Sequence, residues 1–264
     1  MQIVVCLKQI PDLQQIRIKR DTREPVLEGV PFLFGDMDKN ALEEAVRIVE
    51  REGGTVTALA LGSPKLRDTI KEALAMGADE AVLLIDSAFQ GSDTRSTAQA
   101  LARAIEKIGE YDLVLLGEGS TDNYSGQVPS RLAEILNLPS ITYVRELEIE
   151  GDKVRAVRDM EESFEVVESR LPALITVTSE INEPRLPSLI QILKAAKKPL
   201  QEWTSEDLGL SAHEVGKEAS SLEIISNLAP EQERKGVILE GDLDEKVDQL
   251  IDALLKEGVL GGQP

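Results

Sequence analysis

The chain predicts an α/β protein: a mostly parallel, twisted sheet flanked by helices, with a small antiparallel edge and a C-terminal arm. Three observations predict it. Short apolar runs alternate with segments of helical period through the first half, the trace of successive parallel β-α units. After Pro139 polar and apolar residues alternate around Gly151-Asp152, which reads as a hairpin turn. From Gln201 to Pro264, 15 acids stand against five bases, so the last quarter differs in kind from the rest.

Ile3–Leu7 reads as the first buried strand. From Asp38, Leu42, Ala45, Val46 and Val49 recur at helical spacing, with Asp38 placed to cap and Gly53-Gly54 to stop. Thr55–Leu61 is the second strand, and Gly62-Ser63-Pro64 supplies turn, cap and first residue of a helix that ends at Gly77. Ala81–Ile85 is the third strand, Thr94–Ile108 a helix and Leu113–Leu116 the fourth strand. The polar loop Gly117–Asn123 then leads into a helix near Gly126–Leu136. Tyr143–Glu150, Lys153–Arg158 and Phe164–Glu168 form the antiparallel edge, and Leu174–Val177 is one more buried strand. Asn182–Pro187 is a proline-punctuated loop, and the stretch from Arg185 to Lys198 carries four cations and no acid. The expected organisation is a core over residues 1–196 and an arm over 197–264. One arm helix places Leu243, Val247, Leu250, Ile251, Leu254 and Leu255 on one face before Gly258, and that stripe must lie on another surface.

The composition excludes several classes. With 264 residues, 42% of them hydrophobic, the chain can build a core without disulfides. Its single cysteine, Cys6, cannot make an internal disulfide or a cysteine metal cluster and reads as a buried thiol in a reducing, cytoplasmic-type compartment. No apolar stretch reaches the roughly 20 residues that cross a bilayer, and the start lacks the order of an export signal. A net charge of −19 repels nucleic acids and anionic lipids. The only histidine, His213, lies in the acidic arm far from Cys6, so neither a nucleophile triad nor a histidine metal site is at hand. The adjacent acids Glu43/Glu44 and Glu161/Glu162 point apart and read as solvated faces. No Walker loop or dinucleotide glycine fingerprint occurs.

What remains is the loop after the fourth strand. Open α/β sheets bind ligands beyond the carboxyl ends of their strands, where Gly117–Val128 falls. Ser125, Gln127 and the first amides of the next helix can donate to a phosphate. Cys6-Leu7-Lys8 and Leu61-Gly62-Ser63 are two further strand ends that converge on the same crevice.

An ordered set of segments now carries a resemblance. Val5-Cys6-Leu7-Lys8-Gln9-Ile10-Pro11-Asp12, Glu43-Glu44-Ala45, Ala73–Asp79, Leu115-Leu116-Gly117, Leu171-Pro172-Ala173, Asn182-Glu183-Pro184-Arg185 and Lys194–Lys198 follow one another. Together they resemble the β subunit of electron transfer flavoproteins, from residue 1 to about residue 210. The resemblance implies an adenine nucleotide α-hydrolase-like core and a heterodimer whose α subunit holds the redox-active FAD, with the C-terminal arm packing on that subunit. It implies that this chain buries AMP or, in electron-bifurcating members, a second FAD. Position by position, the nucleotide-lining places fall at Cys6, Gly35, Leu61, Asp122, Asn123, Tyr124, Ser125, Gly126, Gln127 and Val128. The family usually has Asn-Pro where Gly35-Asp36 stand and acids where Ser120 and Thr121 stand, whereas Ser125 keeps the small hydroxyl of AMP-binding members. Leu13 falls near the α-subunit flavin. Glu183–Ala196 corresponds to a docking loop for partner dehydrogenases, with Leu189 as the inserted leucine and Arg185, Lys194 and Lys197 as steering cations.

The implied work is electron carriage without turnover of the chain's own, from dehydrogenases toward a quinone reductase. The alternatives are a bifurcating β subunit that oxidises NADH at a second FAD and, from a different class, a standalone adenine nucleotide-binding regulatory protein.

Overall fold

The computed structural model describes residues 1–231 and 235–260. The first strand, β1 (Gln2–Leu7), is buried on both faces as its unbroken apolar run requires. The segment between it and the first long helix, which the sequence pattern leaves unassigned, forms two small antiparallel pairs. In one, β2 (Gln9–Pro11) pairs with β5 (Phe32–Phe34); in the other, β3 (Arg17–Ile18) pairs with β4 (Pro25–Val26). There follow α1 (Asp36–Glu52), β6 (Thr55–Leu61), α2 (Leu66–Met76), β7 (Glu80–Leu84), α3 (Thr94–Ile108), β8 (Leu113–Gly117) and α4 (Gln127–Ile135). The second half contributes β9 (Ser140–Glu150), β10 (Lys153–Asp159), β11 (Phe164–Arg170), β12 (Ala173–Val177), α5 (Leu189–Ala195), β13 (Leu200–Trp203), α6 (Gly216–Ala219) and α7 (Leu243–Lys256).

The main sheet has nine strands in the order β11-β10-β9-β12-β8-β1-β6-β7-β13. From β1 the chain winds outward through β6 to β7, then returns to lay β8 on the other side of β1. The winding direction therefore reverses between β1 and β8, which is a switch point of the kind that opens a crevice beyond the strand ends. Strand β9 starts parallel to β12 and continues as the antiparallel partner of β10, joining the expected antiparallel edge to the parallel body. Alternate residues of the central strands face two apolar layers. Ile3, Val5 and Leu7 pack with Leu42, Ala45, Leu66 and Ile70 of α1 and α2 on one side. Val4 and Cys6 pack with Ala98, Leu101, Ile105 and Leu132 of α3 and α4 on the other.

Three expectations are corrected. Asp38 does not cap α1: the helix begins two residues earlier with Gly35 as its cap, and Asp38 turns its carboxyl inward instead. Glu43 and Glu44 are not a solvated face, being almost wholly buried. The sheet does not end before residue 196, because β13 pairs with β7 and Leu208, Leu210 and Val215 enter the core beyond it. The expected arm, 197–264, also includes 232–234 and 261–264, which lie outside the described residues. Helix α2 starts at Leu66 with Lys65 as its cap, so Ser63 and Pro64 stand before the helix and their carbonyls accept the amides of Leu66 and Arg67.

At the end of β8 only glycine fits. A Cβ on Gly117 would stand 2.7 Å from Asp38 Oδ1 and 2.9 Å from the backbone of Met37. Gly117→Ala is expected to force α1 off the sheet and to cost about 1–3 kcal/mol; urea denaturation at neutral pH checks this.

Candidate functional site

The crevice is built where β1, β6 and β8 end. The pairing puts Cys6 beside Leu59 and Leu116, so Leu7, Lys8, Leu61 and Gly117 leave the sheet as neighbours. Asp38, in the first turn of α1, holds this edge together. Its Oδ2 accepts the Lys8 amide at 2.7 Å and its Oδ1 accepts the Gly117 amide at 3.3 Å. One carboxyl thus satisfies the last amides of the two strands flanking the switch point. Burial pushes that carboxyl up to about 7, against the two amides that pull it down. Burial, with the nearby Asp38 carboxyl, also pushes the Cys6 thiol far above its ordinary range.

Above this floor the loop after β8 is tied back to β1. Lys8 Nζ reaches Asp122 Oδ1 at 2.6 Å and Ser120 Oγ at 3.1 Å, and Ser120 donates to Asn123 Oδ1 at 3.1 Å. Burial raises the Asp122 carboxyl, but its bonds from Lys8 and Ser120 outweigh that and hold it below the usual range. Tyr124 has φ +42° and Gly126, the cap of α4, has φ +61°. No atom lies within 4 Å of where a Gly126 Cβ would sit, so that side of the loop is open to a ligand. The first amides of α4 have no intrahelical carbonyl to bind. Thr94 Oγ1 and Arg131 Nη2 both donate to the Gln127 carboxamide oxygen, at 3.1 and 3.0 Å, leaving its NH2 group to serve a ligand. Ser125 is exposed and Val128 packs on the core below.

Behind the loop, Glu118 is buried and its Oε2 accepts the Thr176 hydroxyl and, at 2.9 Å, the amide of Tyr143, itself held at φ +58°.

The other residues singled out by sequence lie apart from the crevice floor. Leu13 is half-exposed in a 3-10 turn whose Gln14 amide is capped by Asp12. Leu189 begins α5 and is 72% exposed, with Ile190, Ile192 and Leu193 exposed beside it. Lys194 and Lys197 are exposed. Arg185 has its guanidinium engaged by Glu43 and Glu50. His213 is exposed, with Nδ1 3.1 Å from Glu218.

The family model for the electron transfer flavoprotein domain matches residues 27–208, which take in the cap of α1, the β8 loop, α4 and the exposed segment around Leu189. The chain belongs to the electron transfer flavoprotein family, as a β subunit. It is 42% identical to the electron transfer flavoprotein subunit beta of Thermoanaerobacterium thermosaccharolyticum, over 98% of this chain and 100% of that one. It is 39% identical to the caffeyl-CoA reductase-Etf complex subunit CarD of Acetobacterium woodii, over 97% of this chain and 98% of that one. It is 38% identical to the protein FixA of Azorhizobium caulinodans, over 80% of this chain and 77% of that one. Membership implies an α-subunit partner and association with flavin. Among the described residues, no helix is long and apolar enough to cross a membrane.

The most central residue of the crevice, Asp38, escaped the sequence reading because an acid in a first helical turn looks like a cap wherever it points. Its raised pKa makes a signed prediction. A carboxyl whose folded value lies above its unfolded one contributes full stability below the unfolded value, near 3.8, and loses it as pH rises through about 7. The stability difference between parent and Asp38→Asn is therefore expected to fall, by on the order of a few kcal/mol, between about pH 4 and pH 7. Urea titrations across that range check it.

Proposed function

We propose that this chain works as the β subunit of a heterodimeric electron transfer flavoprotein that accepts electrons from dehydrogenases and passes them toward a quinone reductase, with AMP buried at its own switch point. The observation that carries this reading is the 42% identity with a β subunit over 98% of this chain and 100% of that one. FAD on the α subunit would supply the redox chemistry. This chain's part is to bind the nucleotide, hold the α subunit and offer a landing surface.

The crevice residues fit an adenosine phosphate. Gly126 and the α4 amides suit a phosphate at a helix N-terminus, Ser125 and the Gln127 NH2 group add donors, and Lys8 brings the cation. Cys6 and Leu61 would face the adenosine end, beside Gly35, with Asp122, Asn123, Tyr124 and Val128 around the phosphate loop. A net charge of −19 opposes phosphate binding at long range, so the binding must be local and short-ranged. Leu13 would sit toward the α-subunit flavin. Helix α7 supports the heterodimer: Leu243, Val247, Leu250, Ile251 and Leu255 are exposed along one side. Such a stripe calls for a covering surface.

The second reading is a bifurcating complex with FAD in place of AMP: the resemblance implies Asn-Pro where Gly35-Asp36 stand and acids where Ser120 and Thr121 stand, so the adenine end of this crevice is not that of the ordinary members. Nucleotides released by denaturing the purified assembly separate the two: FAD and AMP in equal amounts support the carrier, and two FADs without AMP support bifurcation.

Leu189→Ala is expected to leave nucleotide content unchanged and to slow electron acceptance at sub-saturating donor by roughly tenfold, as removal of a docking anchor does; stopped-flow reduction of the heterodimer checks it. Deleting residues 241–264 is expected to weaken α-subunit binding. Burying even two of the α7 apolar side chains contributes roughly 3 kcal/mol, about a hundredfold in Kd, readable by calorimetric titration.

A further inference from the structure

Asn40, Glu43, Glu44, Arg47 and Glu50 recur along one edge of α1 at helical spacing. Such an edge ordinarily faces water, yet Glu43 is 2% exposed and Asn40 and Glu44 are buried beside it. What covers them is the segment from Asn182 to Arg185. Asn40 Nδ2 donates to the Asn182 carbonyl at 2.7 Å, and Asn182 Nδ2 donates back to the Asn40 carbonyl at 3.1 Å and to Glu44 Oε2 at 3.2 Å. Arg47 Nη2 holds the Glu183 carbonyl at 3.1 Å. Arg185 donates to Glu43 through its backbone amide, Nε and Nη2, and to Glu50 through Nη1 and Nη2, at 2.6–3.2 Å.

A buried carboxylate is tolerated only when its oxygens are well bonded. Burial pushes the Glu43 carboxyl up, but the bonds from Arg185 and Arg47 outweigh it and hold the group below its usual range. The bonds to Glu50 and then to Glu43 raise Arg185 above its ordinary value. On the far side of α5 a second post stands: Ala195 is buried and Lys198 Nζ donates to the carbonyls of Leu74 and Ala78 at 2.9 and 2.6 Å. Between the posts, Leu186 (94% exposed), Leu189, Ile190 and Leu193 have no core to pack into. Their own burial therefore cannot hold the segment in shape.

We propose that residues 186–193 are kept in their docking shape before any donor arrives by a clamp on the edge of α1, in which Arg185 and Asn182 are positioning residues and Glu43 is the shared acceptor. This rests on the docking role proposed above for Leu189. A segment ordered in advance pays less entropy when it docks. Because α1 also carries Asp38, the helix that frames the crevice and the helix that shapes the landing surface are one rigid body. Arg185 then acts through its forked geometry, not through its charge.

The test uses Arg185→Lys, which keeps the charge and loses the fork, in the purified heterodimer. Amide hydrogen exchange over 183–193 is expected to quicken about tenfold, with β1 and β8 unchanged. The KM for the electron-donor protein is expected to rise while kcat at saturating donor holds. The Glu43→Gln/Arg185→Lys pair should exchange no faster than the worse single variant, since the two residues act as one unit. Parental exchange in Arg185→Lys, or multiplicative effects in the pair, would overturn the clamp. Neither result bears on whether Leu189→Ala slows electron acceptance, so the docking reading stands or falls separately. If Arg185→Lys also loosens β1 and β8, Asn182→Ala, which removes only the amide clasp, carries the same comparison.

Discussion

Two backbone amides at the ends of β1 and β8 converge on the one carboxyl of Asp38, and the shape of the crevice depends on that convergence. Strands on either side of a switch point send their chains to opposite faces of the sheet, so their last amides are left without ladder partners. A helix laid over the junction can satisfy both only if it comes close, and Gly117 is what permits the approach. The cost is a carboxyl in an apolar setting. The Lys8–Asp122 pair then draws the β8 loop over the same edge, with open space beside Gly126 at the start of α4.

Along α1 the same physics recurs with more charge. Glu43 and Glu44 are buried next to each other, and the two differ in how they are held: Glu43 is bonded by two arginines, Glu44 by Asn182 alone. Burial raises Glu44 and the amide bond only partly offsets it. The helix thereby joins the crevice at its first turn to an exposed apolar segment near its middle. The chain around it has a high negative charge, whose overall field repels polyanions, and few aromatics.

Most of the fold was legible because parallel strands buried on both faces are dominated by apolar residues, as β1, β6, β7, β8 and β12 are. The antiparallel edge was legible from its alternation around Gly151. The strand pairs between Gln9 and Phe34 were not, being two or three residues long and too short to show a period. Strand β13 was missed because Leu200-Gln201-Glu202-Trp203 lies half-exposed at an edge and reads as polar. In the site, the open glycine cap and the strand ends were readable from residue type. The tasks of Asp38, Glu43 and Arg185 were not, since each depends on a partner more than 70 residues away in sequence. For Arg185, a stretch rich in cations and free of acids hid that its counter-charges lie on another element.

Co-expression of this chain with an electron transfer flavoprotein α subunit from the same organism, followed by sizing with simultaneous detection of protein and flavin absorbance, tests the central claim most directly. The account predicts one yellow peak with the mass of a single copy of each chain. A stable colourless monomer or homodimer of this chain, eluting apart from every flavoprotein present, would contradict it.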